Sequence, residues 1–145
     1  MSLIVLVGII GYLFSVWSQL PEQVPQHYNA AGEVDKWGGR GVLFPLPILS
    51  ALLYAGQSVL SKFPQSFNYL SPVTEENAPR QYITARMMIS WLKLQLVVLF
   101  SYIEWDMIQS ALGKSGGLGL WFLPVTLVVV FGTIIFYAVR SVRIK

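Results

Sequence analysis

The sequence predicts an all-α integral membrane protein: four transmembrane helices, with a short structured extracytoplasmic loop after the first. Two observations carry this. Of 145 residues, 54% are hydrophobic and only 12% charged, against about 25% charged in an ordinary soluble domain. The apolar residues also gather into four long runs, at about 3–20, 42–60, 87–106 and 118–139. Each approaches the roughly 20 residues a helix needs to cross a bilayer, and the mean hydropathy is +0.58. Such a chain has too little polar surface for a soluble enzyme, a disordered tail or a nucleic-acid module. The net charge of +3 is small, and the basic groups lie near segment ends rather than forming the extended basic face a nucleic acid needs. Without cysteine, disulfides, thiolate zinc sites and thiol catalysis are excluded. The chain reads as one membrane domain, 1–145.

The first run has no basic n-region, and Ser18-Gln19-Leu20-Pro21 is a poor cleavage site, so it is expected to be a retained span rather than a signal peptide. Gly8, Gly11, Ser15 and Ser18 fall on one stripe of small residues. Such a stripe lets membrane helices approach closely, within the bundle or against a partner helix. The second run opens with Pro45 and Pro47, tolerated in a first helical turn; Pro124 plays the same part in the fourth. Long uncharged runs must satisfy their backbones internally, which at this length means helix, and the short alternation of a membrane β-barrel is not seen.

The third run carries charge. Thr74-Glu75-Glu76-Asn77 reads as a helix start, so Arg80–Arg86 would extend this helix beyond the membrane. Lys93 and Glu104 are eleven residues apart, about 16 Å along a helix, while the hydrocarbon layer is about 30 Å thick. They cannot occupy opposite headgroup regions. Either Lys93 snorkels at the edge, or Glu104 and Asp106 lie at membrane depth, where charge is expensive and often functional. The four glycines around Lys114 are expected to form a flexible outer turn.

The connections set orientation. Lys62, Arg80 and Arg86, with the tail's Arg140, Arg143 and Lys145, outnumber Lys36, Arg40 and Lys114 on the other side. The positive-inside rule then places both termini and connection 61–86 in the cytoplasm, and loop 20–41 outside the cell membrane.

That outward loop holds the only histidine, His27, and is dense in shape-fixing residues. Pro21 and Pro25 make an extended entry, while Asn29 and Gly32 suit turns that need positive φ. Val24, Tyr28, Val34 and Trp37 supply apolar contacts. His27 is read as a hydrogen-bonding strut, a ligand-recognition group or, with Glu22, Glu33 and Asp35 nearby, a weak metal ligand. The catalytic motifs looked for (a serine triad, His-Glu-x-x-His, a phosphate loop) are absent.

The pattern Leu20-Pro21-x-x-x-Pro25-x-His27-x-Asn29-x-x-Gly32-x-x-Asp35-x-Trp37 resembles the signature of a bacterial membrane domain of unknown function, the first domain of SdpI-type immunity proteins. Asn68-Tyr69, Val73–Asn77, Arg80-Gln81-Tyr82 and Trp91-Leu92-Lys93 are similar to that family's pattern between helices. The resemblance spans most of residues 10–110, and no second SdpI-type domain is expected within these 145 residues. It implies a membrane fold and a role in immunity to, or signalling of, an extracellular peptide toxin.

Three functions follow as expectations. The first is a non-enzymatic membrane protein whose cap recognises a peptide, lipid or protein partner through His27, Asn29, Gly32, Asp35 and Trp37. The second is an accessory subunit of a larger membrane complex. The third is a small ion or solute carrier using Lys93, Glu104 or Asp106. The expected partners are the lipid bilayer, an extracellular peptide or membrane complex, and a second copy of the chain. No nucleic acid, cofactor or metal is expected.

Overall fold

A computed structural model describes residues 1–145. Its main elements are α1 (Ser2–Val16), β1 (Gln23–Tyr28), β2 (Val34–Gly39), α2 (Pro45–Leu60), α3 (Ala78–Ala111) and α4 (Phe122–Val142), with 3-10 turns at Trp17–Gln19, Arg40–Leu43 and Pro64–Ser66. With their flanking turns, four helical segments are long and apolar enough to cross a membrane: Ser2–Gln19, Arg40–Leu60, Ala78–Ala111 and Phe122–Val142. The all-helical expectation needs one correction. The loop after α1 is a two-stranded antiparallel sheet.

The sheet pairs Val24 with Gly38, Pro25 with Trp37, His27 with Lys36 and Tyr28 with Val34, with irregularities on both sides of His27. A few β-prone residues, Val24 and Tyr28 before the turn at Asn29–Glu33 and Val34 and Trp37 after it, flank the turn without regular alternation, so the sequence shows loop punctuation rather than a hairpin signal. A two-stranded sheet is marginal alone, so this one must be held from below. Val24 is fully buried in a cluster with Leu13, Val16 and Leu20 of the α1 end, Leu43, and Met107 and Ile108 of α3. At the base of the hairpin, Arg40 Nε donates to the Pro21 carbonyl at 3.1 Å, and its guanidinium lies 6.0 Å from the centre of the Trp17 ring.

The helices alternate in direction, so the hairpin and the α3–α4 connection share one end of the molecule and the termini share the other. At the terminal end, Gln81 Nε2 donates to the Ser141 carbonyl at 3.0 Å, and Ser141 Oγ donates back to Gln81 Oε1 at 2.7 Å. In mid-bundle, Gln95 Nε2 donates to Thr133 Oγ1 of α4 at 2.7 Å. Only 27 of 145 residues are buried. Tyr137 is the only buried residue of α4, so that helix presents apolar side chains outward almost all round, as lipid-facing helices do.

One helix start and one helix face bear on the expectations. Thr74–Asn77 is the turn that opens α3. The Thr74 N–H donates to Asn77 Oδ1 at 2.9 Å, and the Asn77 N–H to Thr74 Oγ1 at 3.2 Å. These reciprocal bonds form a capping box, and the Ala78 N–H donates to the Thr74 carbonyl at 2.9 Å, so Thr74–Asn77 is the helix start that the sequence suggests, with regular helix from Ala78. The small-residue stripe of α1, by contrast, faces away from the bundle. Gly8, Gly11, Ser15 and Ser18 are exposed, while Leu6, Ile9, Leu13 and Val16 face inward. A methyl group added at Gly8 or Gly11 would meet nothing within 4 Å, so no helix of this chain uses the close approach they permit.

Candidate functional site

The hairpin turn is built by Asn29. Its Oδ1 accepts the N–H groups of Ala31 and Glu33, each at 3.0 Å, while its Nδ2 donates to Glu33 Oε2 at 3.1 Å. Asn29 therefore acts through its side-chain carbonyl. The expected positive φ belongs to Gly32 alone in this turn, at +76°. Gly32 is also where the hairpin meets the α3–α4 connection. The Leu118 N–H donates to the Gly32 carbonyl at 2.7 Å, and a Cβ on Gly32 would overlap the Gly119 backbone.

The α3–α4 connection is thus docked, correcting the expectation of a flexible turn. Gly113 ends α3 at φ +74°, and the Lys114 N–H reaches back to the Gln109 carbonyl at 2.8 Å, which closes the helix with a left-handed glycine. Ser115 Oγ then donates to Asp106. Asp106 is 2% exposed and also accepts the Tyr28 hydroxyl at 2.8 Å and Ser110 Oγ at 3.3 Å. A buried carboxylate with three donors is well satisfied. It joins hairpin, α3 and the α3–α4 connection at one point. Tyr28, expected only as an apolar contact, is the hairpin's member of this junction. Burial raises the pKa of its hydroxyl above the usual tyrosine value, and the hydrogen bond and charge of Asp106 raise it further. Close by, Gln109 Nε2 donates to the Tyr12 hydroxyl, tying α3 to α1.

Glu104 is fully buried, and neither carboxyl oxygen has a hydrogen-bond partner. Ser101, one helical turn away on the same face of α3, has a buried hydroxyl without a partner as well.

His27 Nδ1 lies 2.7 Å from Asp35 Oδ1, an exposed pair across the two strands. With Nδ1 engaged by Asp35, Nε2 is the ring nitrogen left for a further partner. Glu33 is engaged by Asn29, and no group of three or more His, Asp or Glu side chains forms anywhere in the chain. Beneath the turn lies a pocket of about 630 Å³. Its polar rim includes Gln26, His27 and Asn29; its apolar wall includes Leu46 of α2, Ile103 of α3 and Phe122 of α4. The structure therefore brings His27, Asn29 and Gly32 to one pocket and places Asp35 behind His27. Trp37, 49% exposed, is not part of the lining. Lys93 lies toward the far end of the bundle, where Nζ donates to Ser58 Oγ at 3.1 Å and sits 4.8 Å from the centre of the Tyr54 ring.

Residues 3–51 match a domain of unknown function, DUF1648. This is in keeping with the motif's resemblance to a domain without assigned activity. The matched segment holds α1, the hairpin and the start of α2, and hence the whole His27–Trp37 motif. An uncharacterized protein of the archaeon Archaeoglobus fulgidus is 28% identical over 133 residues, covering 82% of this chain and 72% of its own length. No solved structure matches the chain.

Proposed function

We propose that the chain is a non-enzymatic, multi-pass recognition protein of the cell membrane, SdpI-like in type. In this reading the hairpin faces outward and its pocket receives an amphipathic ligand, a peptide segment or a lipid. One observation carries the reading: the pocket joins a polar rim made by the hairpin to an apolar wall made by three helix ends. Binding sites for amphipathic molecules have this division, an apolar body with a few placed polar groups. The His27–Asp35 pair fixes the imidazole at the rim, and Asn29 fixes the turn that carries it. An immunity or signalling role rests on the resemblance of the motif.

The test uses the full chain in lipid nanodiscs and two fluorescent probes, a leucine-rich amphipathic dodecapeptide and an acyl-chain analogue. Filling the pocket with Leu46→Trp should abolish binding of whichever probe the wild type takes. His27→Ala and Asp35→Ala should weaken it by about tenfold, the size of one lost hydrogen bond to a polar group. Unchanged binding in Leu46→Trp, or failure of the wild type to take either probe, would reject the pocket as a ligand site.

A further inference from the structure

We propose a second binding site at the opposite end of the bundle. The cleft between the C-terminal end of α2 and the N-terminal half of α3 takes the phosphate of an anionic phospholipid headgroup. The cleft holds about 350 Å³ and is lined by Ser61 and by Ile83, Arg86, Met87, Ser90 and Lys93 of α3, among others. Arg86, Ser90 and Lys93 are spaced at i, i+4 and i+7, so they share one helical face. Arg86 and Lys93 are about 10 Å apart along the axis.

The charge balance of this cleft points to an anion. The one basic–acidic side-chain pair in the chain is His27–Asp35, at the other end, so neither Arg86 nor Lys93 is paired with a carboxylate. Lys93 is partly buried on a helix long and apolar enough to span, and only the Ser58 hydroxyl and the Tyr54 ring receive its ammonium. A charge at such a depth normally finds a counter-ion. α2 ends beside it, but a helix C-terminus offers only about half a negative charge against two full cations. The deficit is met by a phosphate: a guanidinium and an ammonium are its usual partners, and Ser90 adds a hydroxyl.

The surroundings favour a phosphate carried on a lipid over a free one. Ile83 and Met87 expose apolar surface at the cleft, and Val59, Leu60 and Phe63 are exposed where α2 ends. Helical side chains lean toward their helix N-terminus, so the Lys93 stem leans toward Arg86 and the bundle's terminal end. That is the direction a lysine takes to reach a headgroup. Cations just beyond a span attract anionic lipid generally; here two of them and a serine share one cleft.

The experiment uses the full chain purified in a neutral detergent, with thermal midpoint and native mass spectrometry as readouts. Phosphatidylglycerol should raise the midpoint saturably and remain as one adduct per chain, while phosphatidylcholine and inorganic phosphate should not. Arg86→Gln and Lys93→Gln should each weaken the phosphatidylglycerol effect about tenfold, as loss of one charge-assisted hydrogen bond would. Lys93→Arg should retain it. Arg140→Gln, which removes the same charge from α4, should leave it unchanged. Arg86 is exposed and has no partner in the fold, so its variant reads the site even where Lys93→Gln does not fold. Equal stabilisation by phosphatidylcholine overturns the proposal, as does an unaltered response in Arg86→Gln or an equal loss in Arg140→Gln. Stabilisation by inorganic phosphate alone assigns the cleft to a free anion and overturns the lipid reading.

Discussion

Two neighbouring carboxyl groups on α3 have opposite surroundings. Asp106 has three donors, whereas Glu104 is buried with none. An unsatisfied buried polar group costs about 1–3 kcal/mol. Glu104→Met, which keeps length and removes both oxygens, should therefore raise stability by about that amount. Glu104→Gln, still polar, should gain less. Thermal midpoints in detergent measure both, and a lower midpoint for Glu104→Met would show that the carboxyl supports the fold. A gain would mark Glu104 as retained for something other than stability, as the carrier expectation requires. Tyr28 gives a pH-dependent test. Tyr28 and Tyr69 both hold their protons more tightly in the folded chain than in the unfolded one, chiefly through burial. Above the ordinary tyrosine pKa of about 10, the folded state then binds more protons, so stability falls as pH rises, by at most about 1.4 kcal/mol per pH unit at Tyr28 and by less at Tyr69, which solvent screens more. Below that range their contribution is constant. Tyr28→Phe should start less stable, having lost the bond to Asp106, yet decline less steeply between pH 10 and about 11.5. An unchanged slope would count against the buried hydroxyl. The sequence identified Glu104 and Asp106 as charges that membrane thickness could not place innocently. It could not pair Asp106 with Tyr28, because those residues are 78 positions apart and meet only once the hairpin folds over the end of α3.

Among the elements, periodic ones were read well and irregular ones less so. The helices follow from length and hydropathy, and α3 runs on from Arg80 through the span as expected. At 34 residues it is about 51 Å long, so it must leave a layer of about 30 Å. The Gln81–Ser141 contacts fasten its N-terminal part to the end of α4. The hairpin was anticipated as a structured cap but not as strands, because Pro25 and the paired glycines Gly38-Gly39 weaken a strand pattern that only the support beneath makes stable. The glycine-rich connection was the larger miss. Composition cannot distinguish a slack turn from one where glycine is required for backbone to touch backbone. Gly117, at φ +123°, and Gly32 make such a contact: a Cβ on either would overlap the other segment. Gly32→Ala adds this overlap to about 1–2 kcal/mol of left-handed strain. Its expected outcome is an undocked connection, seen as faster amide exchange at Leu118 and faster proteolysis within 113–121, with the helices still formed. Wild-type exchange at Leu118 would show that the two segments are not coupled through Gly32.

At the scale of the whole molecule, the fold has a firm end and an open one. The hydrophobic core lies where α1, the hairpin and the end of α3 meet, whereas α4 joins α3 through the buried Tyr137, the Gln95–Thr133 and Gln81–Ser141 hydrogen bonds and an aromatic stack, Tyr102 on Phe122 at 5.8 Å. A bundle so thinly buried in water would be unstable; in lipid, the same exposed apolar surface is solvated and polar links between helices do more of the holding. Orientation is then a matter of which end retains its cations. Lys62, Arg80, Arg86, Arg140, Arg143 and Lys145 lie toward the terminal end and Lys36, Arg40 and Lys114 toward the hairpin, a bias that favours a cytoplasmic terminal end. Because the chain lacks cysteine, single cysteines report this directly in intact cells. Glu22→Cys, exposed in the approach to β1, should react with a membrane-impermeant maleimide at once. Gln65→Cys, exposed in the connection between α2 and α3, should react only after permeabilisation. The reverse pattern would turn the molecule over and put the hairpin pocket in the cytoplasm. A pocket there has no access to an extracellular peptide, so the immunity reading would fail with the orientation. The phosphate cleft would survive it, because anionic headgroups bound both faces of a bilayer.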